Sequence, residues 1–204
     1  MPTPAPDFYL ASASPRRREL LAQLRYRFAA LQVDIDETPQ PGETAAGLVL
    51  RLAGQKAAAG ARLVELRDPR PVLGADTAVS VDGRILGKPA TRDEAVAMLS
   101  LLSGREHQVL TGVALLQGGR LDTAQSATTV VFRPVTVAEM RRYWDTGEPR
   151  DKAGGYAIQG LAAAFVERIE GSYSGVVGLP LFETARLLQD SGISGWQQDA
   201  PDHE

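Results

Sequence analysis

Cysteine is absent from this chain. That gap excludes disulfides, thiolate metal sites and cysteine nucleophiles together, although it leaves the compartment open. Histidine is nearly as scarce, with only His107 and His203, so a histidine-built zinc site is also excluded. His203 falls in the C-terminal tail. His107, at the start of a strand, reads as a hydrogen-bonded structural residue. No apolar run approaches the roughly 20 residues of a membrane span. The opening Met1-Pro2-Thr3-Pro4-Ala5-Pro6 lacks the basic stretch and apolar core of a signal peptide, so a cytoplasmic setting is expected. There is no Walker A lysine loop, no G-x-G-x-x-G after a strand, no H-E-x-x-H and no G-x-S-x-G. Neither sign of charge dominates: 22 basic against 25 acidic residues leave a net charge of −3. A broad polyanion-binding face, and with it a stable nucleic-acid complex, is not expected, and any nucleotide must be met by a local basic cluster.

The 204 residues, 44% hydrophobic and 23% charged, suit one large α/β domain or one domain with two lobes. The expected limits are a single domain over 8–193, with disordered tails at 1–7 and 194–204. A strand at Phe8–Ala11 leads into a helix running to about Leu24. Thr38-Pro39-Gln40-Pro41-Gly42 breaks the chain. A long helix is predicted from about Glu43 to Leu66, with Leu48, Leu52, Lys56, Ala59 and Leu63 on one stripe. Pro71–Val81 reads as a strand, and Asp82-Gly83 as a hairpin turn into Arg84–Leu86. Thr91-Arg92-Asp93-Glu94 and Thr136-Val137-Ala138-Glu139 each predict a capping box opening a helix. Between them lies a long hairpin, Gln108–Leu116 and Leu121–Arg133. A strand is predicted at Ala163–Glu170, and a last helix from Pro180 to near Ser191. Hairpins mixed with helices predict a mixed sheet with flanking helices, in two lobes around a cleft. The first strand and helix are expected to meet the final strand and helix around one sheet.

Chemistry concentrates in a few segments. Ser12-Ala13-Ser14-Pro15-Arg16-Arg17-Arg18 sets an N-cap serine and an N1 proline before three arginines. Cations oppose the helix dipole there, and an anion would offset them, so the segment reads as a phosphate cradle. The plain alternative is a solvated basic turn. Arg17 shares a face with Leu20, Leu21 and Leu24 and should turn inward. Asp76 lies in an otherwise apolar strand, where a carboxylate is costly unless it is paired or metal-bound. Lys56 falls on the buried stripe of the long helix, although a lysine there can also snorkel. Lys88 in Gly87-Lys88-Pro89, and Asp36-Glu37, are weak signals alone. In the glycine-rich loop 147–160, Asp151 and Lys152 offer a metal or phosphate contact, and Gln159 can donate to and accept from a base edge. Gly171-Ser172-Tyr173-Ser174 and Gly178-Leu179-Pro180 bracket a Val-Val pair that could close the same pocket. With no histidine base to hand, carboxylates for acid–base work or metal binding, with lysines and arginines for phosphate, point to phosphoryl or nucleotidyl chemistry.

Taken in order, these pieces resemble the Maf family of nucleoside triphosphate pyrophosphatases. They are Leu10-Ala11-Ser12-Ala13-Ser14-Pro15-Arg16-Arg17, Asp36-Glu37, Arg51-Leu52-Ala53 with Lys56-Ala57, Gly74-Ala75-Asp76-Thr77, Gly87-Lys88-Pro89, Ser103-Gly104 with Thr111-Gly112, Gly147-Glu148-Pro149 with Asp151-Lys152-Ala153-Gly154, Tyr156 through Gly160, and Gly171-Ser172-Tyr173 with Gly178-Leu179-Pro180. The resemblance implies a fold like that of the inosine-triphosphate pyrophosphatases. It also implies cleavage of a nucleoside triphosphate to monophosphate and diphosphate, with a divalent cation, Mg²⁺ or Mn²⁺. It further implies a cytoplasmic enzyme that often forms a homodimer. The aspartate matching Asp76 is the family's proton acceptor, and the positions matching Arg16, Thr77 and Gln159 govern substrate choice. Thr77 with Ile158-Gln159-Gly160 is similar to the dTTP/UTP branch; the 7-methyl-GTP branch usually carries a glutamate-containing segment there. On this reading Asp76 takes a proton from water or holds the metal with Glu37. Ser12, Arg16, Lys56, Lys88 and Lys152 meet the phosphates, and Gln159 reads the pyrimidine. A 7-methyl-GTP enzyme and a non-catalytic nucleotide-binding regulator are the alternatives. Gly175, where many members carry Asn, is a departure expected to loosen a loop before Val176-Val177.

Overall fold

A computed structural model of the protein describes residues 5–64, 68 and 70–195. The anticipated tails, 1–7 and 194–204, therefore lie largely outside the described residues, as do Leu66 and His203.

The N-terminal part is a βαβαβ arrangement. β1 (Phe8–Ala11) pairs in parallel with β2 (Phe28–Leu31) on one side and with β3 (Val72–Val81) on the other. The crossovers are α1 (Pro15–Gln23) and α2 (Ala45–Leu63). β3 then turns through Asp82 and Gly83, both at positive φ, into the short antiparallel β4 (Arg84–Leu86), as the Asp-Gly dipeptide predicts. After α3 (Arg92–Leu102), the long hairpin of β5 (Glu106–Gln117) and β6 (Arg120–Phe132) adds antiparallel to β3. α4 (Val137–Asp145) follows, then β7 (Val166–Glu170), α5 (Tyr173–Val177) and α6 (Leu181–Asp190). The result is one seven-stranded mixed sheet, in the order β2-β1-β3-β5-β6-β7 with β4 on the side of β3.

β3 runs through two hydrophobic cores. Near its start, Leu73 and Ala75 pack with Phe8, Leu21 and Leu188, which joins β1, α1 and α6. Near its end, Val79 and Val81 pack with Leu99, Phe132 and Met140, which joins α3, β6 and α4. Asp76 and Thr77 sit between the two cores, and the expected two-lobed form has its waist there.

Several elements differ from the sequence reading. The last helix does join the first strand and helix, but the last strand pairs with β6 at the opposite edge of the sheet. That strand starts at Val166 rather than Ala163. The preceding Leu161–Phe165 forms a 3-10 turn, because the Leu161 and Ala162 N–H groups bond the Glu148 carboxylate instead of a ladder. The buried stripe of α2 ends at Gly60, and Leu63 is 62% exposed. At Gly60 the helix lies against the sheet so closely that a Cβ would come within 2.8 Å of Ala11 and Val72 side chains. The second capping box is complete, but in the first Glu94 accepts from Ala90 N–H rather than closing on Thr91. Gly175 lies not in a loop but within α5, a five-residue helix where the sequence predicts only turns.

Candidate active site

The site opens where the sheet splits. β3 pairs with β1 only as far as Gly74, and with β4 only from Val79 onward. Between them the edge around Asp76 and Thr77 faces a cleft of about 610 Å³. A cleft beyond the carboxyl end of a strand, at such a split, is where α/β sheets hold ligands.

Each wall follows from local sequence. β1 runs out into Ser12-Ala13-Ser14-Pro15, and α1 begins there with Ser14 as N-cap and Pro15 at its first position. Ser12 Oγ accepts from Ser14 N–H at 3.2 Å and from an Arg17 guanidinium NH at 3.2 Å. On the opposite face of the sheet, Gly74 and Gly112 let α2 ride directly on the strands. A Cβ at Gly74 would stand 2.1 Å from Ala53 O, and one at Gly112 would stand 2.6 Å from Val49 O. That close approach, with the two-residue alternation of β3, brings Asp76 against Lys56. Lys56 Nζ donates to Asp76 Oδ1 at 2.6 Å and lies 2.6 Å from Glu37 Oε1. Glu37 Oε2 accepts from Lys88 at 3.4 Å. Burial pushes the Glu37 carboxyl up, but its contacts with Lys56 and Lys88 outweigh this and hold it below its ordinary value.

Arg17 is fixed on the other side of β3. Its Nε donates to Gly178 O at 2.7 Å, and an NH donates to Thr77 Oγ1 at 3.2 Å. Thr77 and Thr111 hydroxyls are 2.9 Å apart, and Thr111 donates to Gly175 O at 2.7 Å. The protons therefore run one way, from Arg17 to Thr77 to Thr111 to the α5 carbonyl, and every acceptor is matched. Burial lowers the Arg17 pKa from its ordinary value, and the nearby Asp76 charge opposes that shift. Arg16, one residue earlier, faces the same cleft without an ion pair or hydrogen bond to any described residue. Lys152 bonds its neighbour Asp151. The Asp151 carboxyl, though raised by burial, is held below its usual value chiefly by Lys152.

The residues assigned to the site from sequence all line this one cleft: Ser12, Arg16, Glu37, Lys56, Asp76, Thr77, Lys88, Lys152 and Gln159; Asp36, singled out beside Glu37, does not, and its carboxylate accepts from Thr38 N–H instead. Gln159 is exposed at the rim. Arg17, read as inward-turning but not assigned to the site, is the best-anchored cation there, and its 3,4,7 spacing from three leucines was the signal. Tyr156, Ile158 and the Val176-Val177 pair supply an apolar wall. Tyr156 and Ile158 stand in the Tyr156–Gly160 segment that carries the family resemblance, and the valines are bracketed by glycine turns, but none of them is marked by its sequence as an apolar wall. His107 stands apart. It is buried, its Nε2 lies 2.8 Å from the Tyr156 hydroxyl, and burial lowers it to about 4, so it is neutral at pH 7.

A family model described as "Maf-like protein" matches residues 7–191. The chain belongs to the Maf family. Among similar proteins, a dTTP/UTP pyrophosphatase of Saccharophagus degradans is 52% identical over 197 residues, covering 96% of this chain and 93% of that protein. One from Bordetella avium is 53% identical over 197 residues, covering 93% of this chain and 97% of its own. One from Alkalilimnicola ehrlichii is 53% identical over 192 residues, covering 92% and 94%. Among solved structures, the Ham1 protein of Staphylococcus aureus aligns over 61% of this chain and 71% of its own, with a TM-score of 0.41 and 14% identity.

The donor set at the cleft floor fits the divalent cation that the Maf resemblance implies. Two carboxylates, Glu37 and Asp76, converge on one point, now filled by the Lys56 ammonium. Carboxylate oxygens are what Mg²⁺ or Mn²⁺ takes, and Mg²⁺ commonly uses one or two of them, with water and substrate phosphates completing its shell. Among the described residues, no group of three or more acidic or histidine side chains is assembled to hold a metal without substrate. Among those residues, no helix is long and apolar enough to cross a membrane.

Proposed function

We propose that this Maf protein hydrolyses dTTP and UTP to the monophosphate and diphosphate. The observation that carries the reading is the composition of the cleft, in which one buried carboxylate, Asp76, shares a single pocket with five cationic side chains and a rim amide. The names of relatives similar over nearly their full lengths support the same substrate pair.

The triphosphate lies between the α1 N-terminus, with Ser12, Arg16 and Arg17, and the lysines Lys56, Lys88 and Lys152 opposite. Charge on the departing diphosphate is met by these cations and by backbone N–H groups of α1. Asp76 accepts the proton of the attacking water as the new P–O bond forms. The α–β anhydride bond breaks, and its electron pair leaves with the diphosphate. Glu37 and Asp76 would hold the divalent cation, which when bound supplies charge neutralisation and lowers the pKa of water. At the rim, the Gln159 amide donates to O4 and accepts from N3–H, a pattern uracil and thymine share and cytosine reverses. The family resemblance also carries a cytoplasmic setting and a paired state, the latter open to sedimentation measurements.

The deciding experiment incubates the protein with dTTP, UTP, CTP, GTP and 7-methyl-GTP, with Mg²⁺ or Mn²⁺ and without. Diphosphate and monophosphate are measured. Release confined to dTTP and UTP is expected. Preference for 7-methyl-GTP would move the protein to the other branch, and binding without release would make it a regulator.

A further inference from the structure

Gln159 makes no hydrogen bond to any described residue, yet the turn carrying it is held at both ends by two side chains that do not line the cleft. Tyr143, buried on α4, accepts from Ala157 N–H at 3.1 Å and donates to Glu148 Oε1 at 2.7 Å. The Glu148 carboxylate also accepts from Leu161 N–H through Oε2 at 3.0 Å, and from Ala162 N–H through Oε1 at 3.4 Å. Within the turn, Gly160 N–H bonds Ala157 O at 3.0 Å. The fit is close enough that a Cβ at Gly160 would stand 2.3–2.5 Å from the Glu148 carboxylate. Ala157, Ile158 and Gln159 thus face the cleft from a turn clamped at 157 and at 161–162. The clamp is itself mounted on a capped helix, because α4 carries the complete capping box and Tyr143 packs edge-on against Phe165.

We propose that Glu148 and Tyr143 are positioning residues for nucleobase selection, acting through the backbone of the 157–160 turn. The inference rests on the assignment of Gln159 to the base. An amide discriminates base edges better the more narrowly its position is set, because a loosely held one shifts and flips to suit either edge. Gln159 makes no side-chain hydrogen bond to a described residue, so the backbone of the turn is what fixes the height from which its amide approaches the base. Ser12, Arg16, Arg17, Lys56, Lys88 and Asp76 stand on other elements; Lys152 alone of the phosphate-binding residues shares the loop with Glu148, as the cap of the 3-10 turn that Glu148 begins.

The test measures kcat and KM for dTTP, UTP and CTP on the wild type and on Glu148→Ala, Glu148→Gln and Tyr143→Phe. Glu148→Ala and Tyr143→Phe should leave kcat for dTTP within about twofold, raise KM for dTTP and UTP roughly fivefold or more, and lower the dTTP-to-CTP ratio of kcat/KM by a similar factor. Glu148→Gln keeps an acceptor for the backbone and should retain most of the preference. Should Glu148→Ala fail to fold, the near-isosteric Tyr143→Phe decides. An unchanged selectivity ratio in folded variants would overturn the proposal. So would a uniform fall in kcat for all three nucleotides with the ratio intact, since that marks a merely structural role. A wild type without pyrimidine preference refutes the substrate assignment instead. The anchoring is then judged by whether the variants alter the selectivity the wild type does have.

Discussion

The Lys56 ammonium lies 2.6 Å from Asp76 Oδ1 on the wall of the cleft, with the two side chains 10% and 11% exposed. Because Glu37 Oε1 is equally close to that ammonium, one lysine keeps two carboxylates together. Lys56→Met should therefore destabilise the protein by roughly 1–3 kcal/mol at neutral pH, since it leaves one mostly buried carboxylate unpaired and a second nearby. The loss should be recovered in part by millimolar Mg²⁺ or Mn²⁺, which takes the place of the missing positive charge. Melting curves of the variant with and without the cation measure this. A melting temperature indifferent to divalent cations would remove Glu37 and Asp76 as the metal-holding pair.

Asp76→Asn keeps side-chain volume and an acceptor for Lys56 but deletes the proton acceptor. Turnover should fall by roughly 10²-fold or more, while nucleotide binding and the melting temperature change little. Steady-state rates with calorimetric binding separate the two. Activity within a few-fold of wild type would take Asp76 out of the chemical step.

The neighbouring arginines should behave oppositely. Arg17 satisfies Gly178 O, Ser12 and Thr77 in a buried setting. Arg17→Ala strands those acceptors and should cost about 2–4 kcal/mol even without ligand. Arg16 has no such partners among the described residues and opposes the dipole of α1. Arg16→Ala should leave apo stability unchanged or higher by a few tenths of a kcal/mol, and raise KM for triphosphates. Thermal melts of both apo proteins test the contrast. A clear drop for Arg16→Ala would place it in a structural ion pair.

What could be read in advance, and what could not, follows a physical division. Ser14-Pro15, Asp82-Gly83 and Thr136…Glu139 act within a few residues, so their cap and turn geometry was legible. Lys56 and Asp76 were legible as charges on apolar faces, though nothing local says that they meet, because the contact depends on Gly74 and Gly112 admitting α2 onto the sheet. The strand at 163–165 and the joining of the last strand to the first failed for a related reason. Those outcomes are decided by the Glu148 carboxylate and by the free edge of β6, both distant in sequence from the residues they redirect. α5 was missed because its five residues are too few to show a helical period.

The rim amide should govern which pyrimidine is accepted. Gln159 is exposed at the rim of the cleft with no hydrogen-bond partner among the described residues, so its amide is free to pair with a base. Gln159→Glu retains an acceptor for N3–H but loses the donor for O4 and sets a negative charge against a carbonyl oxygen. One unpaired and repelled base group corresponds to about 1–3 kcal/mol, so kcat/KM for dTTP and UTP should fall tenfold or more. CTP, whose N4 amine donates, should lose less, and the dTTP-to-CTP ratio should narrow from the CTP side as well. Asp76 and the lysines are unaltered by this change, so kcat at saturating dTTP should stay near the wild-type value and the loss should fall on KM. Measuring kcat and KM separately for the three nucleotides checks this. An equal fall for dTTP, UTP and CTP would mean that Gln159 does not touch the base, and selection would then have to come from the apolar wall of Tyr156, Ile158 and Val176.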